Sequence, residues 1–312
     1  MKLFWRINSL LNCLIFQNIK GVMALSNTAP FVHYENRFIK IHLVPMFNDN
    51  YGYIFTDKLS KLTGCVDPGD GNAIIDALQT LDLSLNYVLC THKHMDHVGG
   101  NHDIKNKFSN INIIGTKYED IPALTTPVGH NDVFTIGGMK LQVIYVPCHT
   151  RGHIAFYITN NDDDTIEEQQ IEPKRDMTVD NDNSAVLFSG DTLFVGGCGR
   201  FFEGTAEEML NNMDQLSTLP PSTKLFCAHE YTESNLKFLS SIDPVVCDSV
   251  YEEVKIKRSA GIPTIPSTIG KELNYNLFMK CREERVQLLI NKAGCSPIEA
   301  MASLRTMKNN FK

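Results

Sequence analysis

With 312 residues, 43% of them apolar and 21% charged, the chain has enough apolar material for one large buried core and a second, smaller domain. Its formal charge of -7 is local: nine acids and two bases between Asn160 and Ser184 carry the whole imbalance, and the rest of the chain is formally neutral. Net charge therefore points to no acidic or basic partner, neither nucleic acid nor membrane surface.

The first 30 residues carry Lys2, Arg6 and Lys20 with no acid before Glu35, and mix basic, apolar and hydroxyl side chains. This composition resembles a mitochondrial transit peptide. Asn8, Asn12, Gln17 and Asn18 break its apolar runs well short of the roughly 20 residues of a membrane span. Met23 offers an alternative internal start, whose use would leave a cytosolic form. Residues 1–36 are read as an N-terminal extension, and the expected compartment is cytoplasm or mitochondrial matrix according to the start used.

From Phe38 short β-rich runs follow one another between turns: 39–44, 53–56, 64–66, 87–90, 111–115, 141–146, 155–159 and 185–189. Periodicity predicts helices over 72–80 and 96–107, so this part reads as an α/β sandwich. The acidic segment 160–184 interrupts neighbouring strands; with few apolar residues to offset the entropy of ordering, it reads as a solvated loop insertion. Beyond about residue 230 helical periodicity takes over, in 233–240, 249–258, 283–291 and 297–308, with Pro297 early in the last segment, where a helix tolerates it. The expected organisation is a catalytic domain over 37–229 and a helical substrate-binding domain over 230–312.

Nine cysteines run from Cys13 to Cys295 without a C-x-x-C pair. That pattern indicates reduced intracellular thiols.

The chemistry concentrates in Thr91-His92-Lys93-His94-Met95-Asp96-His97. Residues two apart in an extended segment project to the same side, so His92 and His94 can share one ion. Asp96 and His97, turning into the next helix with Asp96 as its cap, can serve a second. Gly99 and Gly100 allow close backbone packing beneath. Four ligands do not complete two sites, and three further candidates follow apolar β-like runs: His149 after 143–146, Asp191 after 186–189 and His229 after 225–228.

The stretches THKHMDHVGGN, PCHTRGHI, GDTLFVGGCGRFFEG and AHEYT resemble the metallo-β-lactamase superfamily and, within it, glyoxalase II, the hydroxyacylglutathione hydrolases, from about Ile39 to the C-terminus. The resemblance implies a metallo-β-lactamase-type αββα sandwich followed by a smaller helical domain. It assigns His92, His94 and His149 to one metal, Asp96, His97 and His229 to another, and Asp191 as a bridge completed by water or hydroxide, with Asp96 and Asp191 as the catalytic carboxylates. Two ions 3.5 to 4 Å apart lower the pKa of a shared water and polarise a carbonyl. The donor set suits zinc first, and also iron or manganese. The implied reaction is hydrolysis of S-(2-hydroxyacyl)glutathione thioesters, chiefly S-D-lactoylglutathione, to D-lactate and glutathione, by a monomer with no nucleic-acid partner and no membrane span.

Glutathione carries carboxylates, so cations are expected at the rim of the metal site. Arg200, Tyr231, Arg305 and Lys308 match family positions that contact the glutathione moiety, and Arg305 and Lys308 lie three apart on one helix face. Phe202 stands where well-known family members have tyrosine, so the ring can still pack on substrate without the hydroxyl. A mononuclear-iron persulfide dioxygenase on the same scaffold is the alternative, needing only a reduced ligand set. His33, His42, His102 and His130 read as structural, His153 as a support for the site, and Cys148, Cys198 and Cys227 as buried small apolar residues.

Overall fold

The computed structural model describes residues 33–161 and 182–311. The transit-peptide-like stretch falls outside the described residues, as does the acidic insertion apart from its two ends. At those ends Asn161 N donates to Gly138 O at 2.9 Å, and Asp182 pairs with Lys224 at 3.1 Å.

The first sheet has seven strands. Four run antiparallel in chain order: β1 (His33–Glu35), β2 (Ile39–Met46), β3 (Asn50–Asp57) and β4 (Thr63–Val66). Then β5 (Tyr87–Cys90), β6 (Asn112–Thr116) and β7 (Thr126–Val128) add in parallel. Parallel addition needs a crossover, and α1 (Gly71–Thr80) supplies the one between β4 and β5. Asp70 caps α1, accepting from Asn72 N and Ala73 N at 3.0 and 3.2 Å.

The second sheet has β8 (Val133–Ile136), β9 (Met139–Tyr145), β10 (Ile154–Asn160) and β11 (Val186–Gly190) antiparallel in chain order. A separate hairpin, β12 (Leu193–Phe194) with β13 (Gly197–Cys198), follows; then β14 (Lys224–Cys227) pairs parallel with β11. The inner faces of the two sheets meet through aromatic rings. Tyr53 and Phe55, two apart on β3 and therefore on one face, reach Phe188 of β11 with centroids 5.3 and 6.1 Å apart, and Tyr53 reaches Phe226 of β14 at 5.4 Å.

The structure corrects the single helix expected over 96–107. It is α2 (Met95–Val98) and α3 (Asn101–Lys107), broken at Gly99 and Gly100. A Cβ on Gly100 would collide with Gly71 N, and one on Gly69 with Asp96 O. Helix α2 starts after His94, so Asp96 lies in the first turn and is not the cap.

Helix α4 (Ala206–Ser217) gave no expectation, yet it opens on a complete capping box between Thr205 and Glu208 and buries Met209, Leu210, Met213 and Leu216. Among the C-terminal helices α5 (Thr232–Ile242), α6 (Pro244–Ser259) and α9 (Pro297–Asn310) are longer than their expected spans, α8 (Glu284–Leu289) is shorter than the expected 283–291, and α7 (Ile269–Tyr275) falls where no helix was expected. This part is not purely helical, because β15 (Ser267–Thr268) closes the second sheet against β14.

Buried Glu272 of α7 accepts from Gly196 N (2.8 Å), Ser267 Oγ (2.5 Å), Tyr275 Oη (2.7 Å) and Asn276 Nδ2 (3.1 Å). Arg305 of α9 donates to Cys198 O at 2.9 Å. The helical segment thereby braces the β12–β13 hairpin that leads into Arg200 and Phe202.

Candidate metal centre

The seven expected ligands come from the ends of four strands across both sheets. His92, His94, Asp96 and His97 follow β5, His149 follows β9, Asp191 follows β11 and His229 follows β14. Their donor atoms form two groups. His92 Nε2 and His149 Nε2 lie 3.0 and 3.1 Å from His94 Nδ1, and His149 Nε2 lies 3.3 Å from Asp191 Oδ2. On the other side His97 Nε2 and His229 Nε2 lie 3.4 and 3.3 Å from Asp191 Oδ1, and each is 3.6 Å from Asp96 Oδ2. The two Asp191 oxygens thus face different groups, as a bridging carboxylate would.

The residues fit metal ions by their own hydrogen bonding. Thr91 Oγ1 gives its proton to Asp67 Oδ2 (2.7 Å), so it accepts from His92 Nδ1 at 3.1 Å. His149 Nδ1 donates to Arg200 O at 3.2 Å, His97 Nδ1 to Asp67 Oδ2 at 3.0 Å and His229 Nδ1 to Asp49 Oδ1 at 2.9 Å. With each Nδ1 held by its own acceptor, the four Nε2 atoms converge on the centre, an arrangement that a metal cation would satisfy. His97 Nε2 and Asp191 Oδ1 are buried without a hydrogen-bond partner.

The groups differ electrostatically. Burial drives His92 well below the usual imidazole range, helped by neighbouring histidines, and pushes His149 down to about 4 against the pull of Asp191. Burial also acts to lower His97, but Asp191, Asp67 and Asp96 outweigh it and raise His97 to about 9. His229 is raised for the same reason, with Asp191 and Asp49 as its anions. Burial would raise Asp191; His97, His229 and His149 overcome it and hold that carboxyl far below the ordinary carboxylate range. One group is three imidazoles with one shared oxygen, whereas the other holds Asp96 and two histidines backed by carboxylates.

A cavity of about 580 Å³ opens over the centre, lined by His94, Asp96, His149, Asp191 and His229 and also by Arg200, Phe202, Tyr231, Arg305 and Lys308. All five residues expected to meet substrate therefore share one space with the ligands. Phe202 is 59% exposed, its ring centroid 5.1 Å from that of His149. Tyr231 stacks on His229 at 4.6 Å and 6°. Arg305 is buried and Lys308 half-buried, with Lys308 Nζ donating to Ser234 O and Oγ at 2.7 and 2.9 Å.

The model of the metallo-beta-lactamase superfamily matches residues 63–165, and that of the hydroxyacylglutathione hydrolase C-terminus matches residues 230–311. A cytoplasmic hydroxyacylglutathione hydrolase of Arabidopsis thaliana is 35% identical over 279 residues, covering 88% of this chain and all of that protein. The chain belongs to the hydroxyacylglutathione hydrolase family. A family member of Prochlorococcus marinus is 39% identical over 252 residues, covering 80% of this chain and 92% of its own. Among solved structures, a metallo-beta-lactamase from Staphylococcus aureus superposes with a TM-score of 0.55 at 20% identity, covering 88% of this chain and 72% of that one. ETHE1 from Myxococcus xanthus does so at 0.55 and 19%, covering 91% and 92%. These likenesses establish the metallo-β-lactamase fold.

Asp49, Asn50 and Asp67 around the hydrolase-family centre carry no signal in the sequence, and Thr91, part of the ligand-rich run, has a role only the structure shows. Asn50 donates to Asp96 Oδ2 at 3.0 Å, and a β-bridge between Asn50 and His229 sets Asp49 opposite the His229 ring. His153 lies under the ligands, accepting from Asp191 N at 3.0 Å and stacking on His92 with centroids 4.5 Å apart. Cys148, Cys198 and Cys227 are buried, and burial raises each thiol, Cys148 to about 12 and Cys198 to about 11. Among the described residues, no helix is long and apolar enough to cross a membrane.

Proposed function

We propose that His92, His94 and His149 hold one divalent ion, Asp96, His97 and His229 a second, and that Asp191 bridges them. The centre hydrolyses S-(2-hydroxyacyl)glutathione thioesters, chiefly S-D-lactoylglutathione, to D-lactate and glutathione. The observation that carries this reading is the single cavity in which both donor groups meet the cations Arg200, Arg305 and Lys308. The donor set suits zinc, iron or manganese.

The ions supply a hydroxide nucleophile at neutral pH and polarise the thioester carbonyl. The chain's own groups do the rest. Asp191, ionised at any working pH, serves as a bridge and not as a proton donor. Asp67, Thr91, Asp49 and the Arg200 carbonyl keep the imidazoles in the tautomer that faces inward. Arg200, Arg305 and Lys308 draw the glutathione carboxylates to one wall and leave the acyl carbon over the donors. Water adds to the acyl carbon, the C–S bond breaks, and the thiolate leaves to be protonated.

In this reading residues 37–229 supply the centre together with Arg200 and Phe202, and residues 230–312 add Tyr231, Arg305 and Lys308 to the thiol-binding wall. The protein acts as a monomer in the cytoplasm or the mitochondrial matrix according to its start. Thiol release from S-D-lactoylglutathione, with metal content measured on wild type and Asp191→Ala, tests the assignment. Two ions and turnover in wild type, with both lost in the variant, are expected; equal rates would remove the bridge from the mechanism.

A further inference from the structure

His94 and His149 belong to one donor group but hang from different sheets, on loops after β5 and β9. Their nitrogens meet at 3.1 Å, so some element must hold the two loops in register.

Two carboxylates outside the ligand set do this. Glu119, which follows β6, accepts from Lys93 N at 2.7 Å and from Thr150 Oγ1 at 3.2 Å with Oε1, and from Gly152 N at 2.9 Å with Oε2. One side chain thus grips the residue before His94 and the residue after His149. The grip is close, because a Cβ on Gly152 would stand 2.7 Å from Glu119 Cγ. Glu203 spans the same gap, pairing with Lys93 Nζ and accepting from Arg151 N, both at 2.7 Å.

The second donor group does not use these contacts. Its cross-sheet tie is the bridge between Asn50 and His229, with Asp49 and Asn50 on the donors themselves.

We propose that Glu119, with Glu203 as its companion, is a positioning residue that sets the spacing of His94 and His149 and thereby the affinity of the His92–His94–His149 group for its ion. The proposal rests on the two-ion reading above. It divides the centre into two halves, each held across the sheets by its own device. A lost clamp loosens one ion and leaves the other in place.

Chelator-competition titration of the metal-stripped full chain with zinc tests this, for wild type, Glu119→Gln, Thr150→Val and Gly152→Ala. Cobalt(II) absorption serves as a second readout of each ligand set. In Glu119→Gln, one of two ions is expected to weaken 10- to 100-fold, the range found when groups that orient ligands are removed, with the other unchanged and one cobalt band perturbed. Thr150→Val, which deletes one contact, and Gly152→Ala, which displaces Glu119, should weaken the same ion; they decide the matter if Glu119→Gln does not fold. Two ions bound by wild type with equal weakening of both, or of neither, in the variants overturns the proposal alone. Fewer than two ions in wild type overturns the two-ion reading and this inference with it.

Discussion

Asp67 accepts a hydrogen bond from His97 at 3.0 Å, and the same Oδ2 atom accepts from Thr91, whose hydroxyl in turn receives the His92 proton. One buried carboxylate thus orients a ligand in each donor group. Asp67 sits at φ 48, a left-handed conformation that Asp and Asn adopt more readily than other non-glycine residues. Asp67→Asn keeps the shape and removes the charge. Both ions are expected to weaken, each about 10- to 100-fold, in contrast with the single ion affected at Glu119. Unchanged affinity in a zinc titration would refute the role.

Lys308 gives the pH dependence. Burial, with Arg305 beside it, lowers this ammonium to about 8. It is charged below that pH and neutral above, so KM for a glutathione thioester should rise as pH passes 8 while kcat changes little. Because the folded value lies below the unfolded one, deprotonation relieves a cost of burial, and folding stability gains from this group over the same rise. Lys308→Arg, charged throughout, should flatten the KM profile; a profile that keeps its limb removes Lys308 as the titrating group.

Phe202 lies over the His149 ring with an exposed face. Phe202→Tyr returns the hydroxyl of the family pattern and should lower KM about fivefold, the effect of one hydrogen bond worth about 1 kcal/mol. Steady-state kinetics decide it: an unchanged KM would show that the ring alone serves at this position.

Gly69 is a packing constraint beneath the centre. Its missing Cβ leaves room for Asp96 O, so Gly69→Ala must displace the turn that carries Asp96 and His97. A loss of about 1–3 kcal/mol is expected, with the ion at Asp96, His97 and His229 weakened more than the other. Denaturant unfolding and zinc titration measure the two effects.

The ligands were legible because four of them stand in one run and the other three each follow an apolar run, so sequence order mirrors the strand-end geometry. Asp67 and Asp49 were not, since a single acid in a turn carries no periodic signal and its partners lie 30 and 180 residues away. The broken helix at Gly99 and Gly100 has the same origin. Periodicity continues across the pair, whereas the close approach of Gly69, Gly71 and Pro68 to it is a long-range contact with no signal in that stretch. Helix α4 is different in kind, for its Thr205 and Glu208 box is a local signal that the sequence itself carries. Strands β7 and β8 are short and partly polar, and Pro127 stands within β7, so they resembled loops.

A glutathione thioesterase releases a thiol against its own walls at every turnover. Cys198 lines the cavity over the centre, and a thiolate there would exchange with oxidised glutathione and trap the enzyme as a mixed disulfide. Sulfur reacts as the anion. Buried and raised to about 11, the Cys198 thiol stays protonated at neutral pH, as does that of Cys148, next to His149 in the chain and raised to about 12. The same packing that fills the core also makes the active-site wall chemically indifferent to the enzyme's product and its oxidised form.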